Sequence, residues 1–155
     1  MDVYPHISYP TLEHCVPRSF FPHTRDAHNI ILLPRRLNTH RSNYRLVESI
    51  GGGGFAKDTS ARLFVPPREF RGRYARAIGY VYLQYPEYRD CLEHDVLSLP
   101  LTWKWILEHR PEEQDIEASY RVADKQGNTN PLLTHQPDDA LHKLHEFMKN
   151  RQTQT

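Results

Sequence analysis

The sequence predicts an α+β protein in which a small strand–strand–helix unit near the N-terminus packs against a mainly helical C-terminal half. Three observations predict it. Two short apolar stretches, residues 11–16 and 29–33, each close at a proline, Pro17 and Pro34. Residues 35–43 then run without glycine or proline, and beyond Pro66-Pro67 apolar residues recur at helical spacing. With 155 residues and 38% hydrophobic content, the chain suits one domain with one modest core, residues 1–150, and residues 151–155 read as a frayed tail. No apolar run approaches the ~20 residues that cross a bilayer, which excludes a membrane-spanning chain. The first five residues show neither a basic nor an apolar targeting region, so an intracellular location is expected.

Taken in order, residues 11–16 and 29–33 read as strands. Residues 35–43 read as a short helix with Pro34 at its first turn, where proline is tolerated. Gly51 to Gly54 form a flexible loop, and residues 61–65 are extended. Residues 69–85 are the firmest helix: Phe70, Tyr74, Ala77, Ile78 and Val81 share a stripe, with Arg71, Arg73 and Arg76 largely off it. Residues 91–97 begin another helix, and residues 101–108, with Trp103 and Trp105, are buried on more than one side. Residues 112–124 are helical, and residues 137–151 form an amphipathic helix with Leu141, Leu144, His145 and Met148 on one face. His135, His142 and His145 suit a core edge better than a zinc site. The two cysteines, Cys15 and Cys91, build no disulfide framework and read as free thiols.

The formal charge of +1 conceals an asymmetry. Residues 16–76 carry 12 Lys/Arg, 11 of them arginine, against Asp26, Glu48, Asp58 and Glu69; residues 77–155 carry 8 against 13 acids. A guanidinium presents a planar fork that matches phosphate oxygens in pairs, so an arginine-dominated segment suits a polyanion-binding face. Ion pairing with the acidic half is the plainer alternative.

The residues that carry chemistry are Glu13-His14, Asp26-Ala27-His28-Asn29 and Asn38 to Asn43. Adjacent strand residues point to opposite faces, so Glu13 and His14 serve one site only if the strand ends or bends there, and Pro17 favours that. Asn38 and Arg41, three apart on a helix, share a face. Glu13 and Asn38 offer hard oxygen ligands, and two protein ligands leave most positions on Mg²⁺ to water and phosphate. A neutral His14 suits a general base, and Arg25 or Arg41 suits paired hydrogen bonds to phosphate.

These residues resemble the endonuclease I family of ββα-metal, His-Asn-His-like nucleases. Glu13-His14-x-Val16-Pro17 resembles its catalytic strand, and Asp26-x-His28-Asn29 its Asp-x-His-Asn segment. Asn38-x-x-Arg41-x-Asn43 resembles its metal-binding helix. Further on, Arg71-Gly72-x-x-Ala75-Arg76 and Gln126-Gly127-Asn128-x-Asn130-Pro131 resemble two downstream motifs. The resemblance implies that His14 is the general base and that Glu13 and Asn38 hold Mg²⁺, with Mn²⁺ or another divalent ion able to substitute. The implied substrate is DNA, and RNA as a further candidate, cleaved with low sequence specificity to 5′-phosphate ends. Arg25 is the preferred equivalent of the family's phosphate-holding arginine and Arg18 the second choice. Arg41, Arg71, Arg73 and Arg76 are expected to touch substrate, while His28, Asn29 and Asn43 are expected to support the site from behind. A monomer is the favoured state. The chain departs from family members with several disulfides and a helical region ahead of the catalytic strand. The rival reading is a non-catalytic nucleic-acid-binding protein on a degenerate nuclease scaffold.

Overall fold

The computed structural model describes residues 9–51 and 56–153, so of the glycine loop only Gly51 falls among them. β1 (Pro10–His14) and β2 (Ile30–Pro34) pair antiparallel, with Glu13 opposite Ile31 and His14 opposite Ile30. A single 3₁₀ turn, Ala27–Asn29, leads into β2. α1 (Arg35–Arg41) follows without a loop, because Pro34 at its N-cap fixes φ and has no amide hydrogen to leave unpaired. The helix stops at Ser42, whose φ of 52° is incompatible with a further helical turn.

β3 (Arg45–Leu46), β4 (Lys57–Asp58) and β5 (Leu63–Phe64) make a small mixed sheet in the order β3-β5-β4. Only β5 lies in a stretch expected to be extended. Strands of two residues carry no readable alternation, and the parallel β3–β5 pairing is a non-local contact.

α2 (Arg68–Gln84) is the axis of the fold, and every residue from Tyr74 to Tyr82 is buried. Such a helix has no free face, which its sequence, with three arginines among the apolar positions, does not announce. After it come a 3₁₀ turn, Pro86–Tyr88, and the one-turn helix α3 (Arg89–Cys91). Residues 92–96 then form a π turn where the sequence predicts a continuing α-helix; the Leu97 amide reaches five residues back to the Leu92 carbonyl at 2.9 Å. α4 (Leu99–Glu108) is capped by the Ser98 hydroxyl, which accepts from the Leu101 amide, and packs most extensively on α2.

α5 (Glu113–Gln126) ends at Gly127, whose φ of +94° is the left-handed conformation that glycine adopts at no steric cost. α6 (Asp138–Thr153) extends past Arg151, so residues 151–153 are helical rather than part of a tail. It packs against α2 and α4. Trp105 is fully buried, and Trp103 lies against His145 with ring centroids 5.0 Å apart. Both cysteines are free; burial before all else pushes their thiols above the ordinary value. Among the described residues no helix is long and apolar enough to cross a membrane.

Candidate active site

β1 ends at His14, and the chain bends there under the hold of one side chain. The Asn29 amide pairs with both backbone groups of Val16, accepting from its N–H at 2.9 Å and donating to its carbonyl at 3.1 Å. The Cys15 amide continues to the Asn29 carbonyl at 2.9 Å. An asparagine with one acceptor and one donor edge mimics a strand neighbour, so it fixes the bend in place of a ladder. As a result Glu13 and His14, consecutive in the chain, both line one open cleft of about 430 Å³, together with Arg18, Ser19, Asn38 and Asn43.

Glu13 is only 4% exposed. Its Oε2 accepts from the Tyr74 hydroxyl at 2.7 Å and from Arg41 Nη1 at 3.1 Å, so Oε1 carries neither bond. Burial first, opposed by the charge of Arg41, pushes the Tyr74 phenol well above its ordinary value, and it stays a donor. Asn38 Nδ2 donates to the Thr11 hydroxyl at 2.9 Å and to the Leu12 carbonyl at 3.2 Å. Those two bonds engage the amide nitrogen, and Oδ1 takes no part in either. Two residues lining the cleft thus each keep an oxygen outside those bonds, a carboxylate and an amide, and such a donor set suits a hard divalent cation.

His14 Nε2 lies 3.4 Å from the Thr24 carbonyl. A carbonyl only accepts, so in the neutral ring a hydrogen bond here goes with the hydrogen on Nε2, and the lone pair is then on Nδ1.

Behind the cleft sits a polar anchor. Asp26 Oδ2 accepts from the Tyr80 and Tyr85 hydroxyls at 2.6 Å each, and Oδ1 accepts from the His28 amide and from Gln126 Nε2. Burial alone would raise this carboxyl; the tyrosines, Gln126 and the His28 amide outweigh it and hold it below its ordinary value. Burial, reinforced by Asp26, pushes the Tyr85 phenol up to about 12 and the Tyr80 phenol higher still. His28 Nε2 is 2.8 Å from the Asn128 carbonyl, Gln126 Oε1 accepts from the Ala27 amide, and Asn130 Nδ2 donates to the Arg76 carbonyl. The Gln126-to-Asn130 segment therefore fastens α5 to the turn that carries Asn29. His28 and Asn29 support the site without lining it, and Asn43, on its edge, accepts from Arg62.

Two of the expected substrate contacts, Arg41 and Arg76, are corrected. Arg41 is fully buried: besides Glu13 it donates to the carbonyls of Tyr44 and Cys15 at 2.9 and 2.8 Å, so it braces the site from beneath and reaches no phosphate. Arg76 is buried and donates to the His109 carbonyl; burial lowers its guanidinium to about 10. Arg71 donates to the Pro66 carbonyl and lies over the Trp105 ring, and Arg73 pairs with Asp115 at 3.3 Å. The Arg-Gly-x-x-Ala-Arg motif is a lock between α2 and α4: a Cβ on Gly72 would lie 2.7 Å from the His109 Cβ.

The two candidate phosphate arginines separate. The Phe20 and Phe21 amides fold back on the Pro17 carbonyl, keeping Arg18 beside His14, while a turn at Pro22–Thr24 carries Arg25 into a neighbouring cleft. Arg18 therefore lines the cleft that holds His14, and Arg25 lines the one beside it. Sequence reasoning missed Tyr74 as the partner of Glu13, because the two lie 61 residues apart and no local spacing joins them.

A hairpin running straight into a helix, with a carboxylate, an imidazole and an amide on one cleft, has the frame of a ββα nuclease. The family model of Endonuclease I matches residues 9–137, and the chain belongs to that family, a family of nucleases. None of the curated proteins compared with the chain matches it.

Proposed function

We propose that the chain is a metal-dependent endonuclease that hydrolyses phosphodiester bonds of DNA, and of RNA where it meets it, with low sequence specificity. The observation that carries this reading is the convergence of Glu13, His14, Arg18 and Asn38 on one cleft, with Glu13 Oε2 and Asn38 Nδ2 already engaged within the protein. Glu13 and Asn38 would hold one Mg²⁺. When bound, the ion screens charge on the phosphorane-like transition state and on the departing oxyanion. His14 Nδ1 takes a proton from the attacking water while Thr24 keeps the ring oriented through Nε2. The water oxygen bonds to phosphorus, the bond from phosphorus to O3′ breaks, and the product carries a 5′-phosphate. Arg18, exposed on the rim, pairs with the phosphate oxygens.

Plasmid nicking tests this directly. Wild-type protein should nick with Mg²⁺ and not with EDTA, and His14→Ala should lose activity while its unfolding curve stays cooperative. Full activity in His14→Ala would remove the mechanism. Binding without nicking in Mg²⁺ would establish the rival, non-catalytic reading.

A further inference from the structure

Next to the cleft that holds His14 lies a second open cleft of about 540 Å³, lined by His23, Thr24, Arg25, Tyr85, Gln126 and Asn128 among others. Thr24 is their common wall: its carbonyl meets His14, and the residue itself lines the second cleft. The exposed His23 ring stacks on Tyr85 with centroids 4.8 Å apart and planes 30° apart, and it also packs tilted against Phe21 and edge-to-face with Tyr88. Tyr85 is itself fixed by its bond to Asp26, so the platform is rigid. Arg25 is exposed, with no hydrogen-bond or ion-pair partner among the described residues.

What the cleft lacks is equally informative. Its one carboxylate, Asp26, has both oxygens covered by four donors and presents little bare charge to a polyanion. The amides of Gln126 and Asn128 are engaged with each other, with Asp26 and with Tyr80, so few free edges remain to read a base. A cleft that offers an aromatic face and a cation, with few free hydrogen-bonding edges, suits an unstacked base of any identity and its phosphate.

Resting on the nuclease reading, we propose that this second cleft is the subsite for the nucleotide flanking the scissile phosphate, with its base on His23 and its phosphate at Arg25. A base in a duplex is already stacked and paired, so the subsite favours single-stranded or locally unpaired substrate.

The test is fluorescence anisotropy with a dye-labelled single-stranded oligonucleotide in EDTA, where nothing is cleaved. His23→Ala should weaken binding about 5- to 150-fold, the range expected for removing one base–aromatic stack. His23→Trp should restore or tighten binding. Arg25→Ala should weaken binding and reduce the salt slope by about 0.7, the value of a single phosphate neutralised on one strand. Wild-type affinity in both His23→Ala and Arg25→Ala would overturn the proposal, as would weaker binding by His23→Trp than by His23→Ala. Hydrolysis of bis(p-nitrophenyl) phosphate with Mg²⁺ by wild-type and His14→Ala protein runs in parallel. Failure there strikes the nuclease reading and the placement beside a scissile phosphate, whereas the base-and-phosphate site itself is decided by the anisotropy arm, which needs no chemistry.

Discussion

Replacing Tyr74 with phenylalanine isolates the support of the proposed metal ligand. Tyr74 is fully buried, and its hydroxyl makes the shorter of the two bonds to Glu13 Oε2, 2.7 Å against 3.1 Å for Arg41. Phenylalanine keeps the ring and its packing and removes one donor to a buried carboxylate. A hydrogen bond to a charged partner is worth about 1.5–3 kcal/mol and one between neutral groups about 0.5–1.5 kcal/mol. Tyr74→Phe should therefore cost about 1.5–3 kcal/mol in the wild-type background and about 1 kcal/mol less when Glu13 is already glutamine. Urea unfolding of the four proteins, without metal and at one pH, measures both numbers as a double-mutant cycle. With Oε2 held by Arg41 alone, the carboxylate is free to turn, and Mn²⁺ affinity read by electron paramagnetic resonance should fall about 10- to 100-fold. Equal cost in both backgrounds, or a cost below about 0.5 kcal/mol in the first, would refute the reasoning.

Two further predictions concern the scaffold. Asp26 is held below its ordinary 3.8, so as pH falls the unfolded chain takes up its proton first; its stabilisation is full above about pH 5 and is lost as pH drops through the native value. Tyr80 and Tyr85 are raised, so their contribution is full below about pH 10 and fades as pH climbs toward the Tyr85 value of about 12. Asp26→Asn should destabilise at pH 7 by about 1.5–3 kcal/mol and flatten the acid limb; unfolding free energies from pH 3 to 7 that run parallel to wild type would contradict this. Gly72→Ala puts a methyl 2.7 Å from the His109 Cβ and 3.1 Å from the Arg76 guanidinium, so it should lower stability by about 1–3 kcal/mol in a urea melt, with an unchanged midpoint counting against the α2–α4 lock.

The order of the strand–strand–helix unit was legible because each boundary is written locally, in Pro17, Pro34 and the glycine-free run between Arg35 and Asn43. The meeting of Glu13 and His14 on one cleft was legible as a requirement, although its agent, the Asn29 amide on Val16, was not. What escaped was long-range. Tyr74 lies 61 residues from Glu13, Arg41 lies 28 from it, and Arg76 lies 33 from the His109 carbonyl. An arginine's burial depends on whether such partners arrive, and no local spacing records that. The two-residue strands escaped for a different reason, being too short to show a period of two.

The fate of the arginines also changes what the charge asymmetry means. The basic segment from 16 to 76 reads as a phosphate-binding face, yet Arg41 and Arg76 are buried, Arg73 is paired with Asp115, and Arg45, Arg62 and Arg71 donate within the protein. Much of that charge is therefore structural, the inward side of a small fold that satisfies backbone carbonyls with guanidinium donors. Arg18 and Arg25 remain exposed on the loop between β1 and β2, seven positions apart and on two adjoining clefts with His14 at the wall between them. A strand that contacts both arginines would run beside Thr24, whose carbonyl meets the His14 imidazole, so a single short loop would set both where the backbone lies and where it is attacked. If that is so, reversing Arg18 alone to glutamate should abolish nicking yet leave oligonucleotide binding in EDTA detectable through Arg25 and His23, whereas reversing both arginines should remove binding as well.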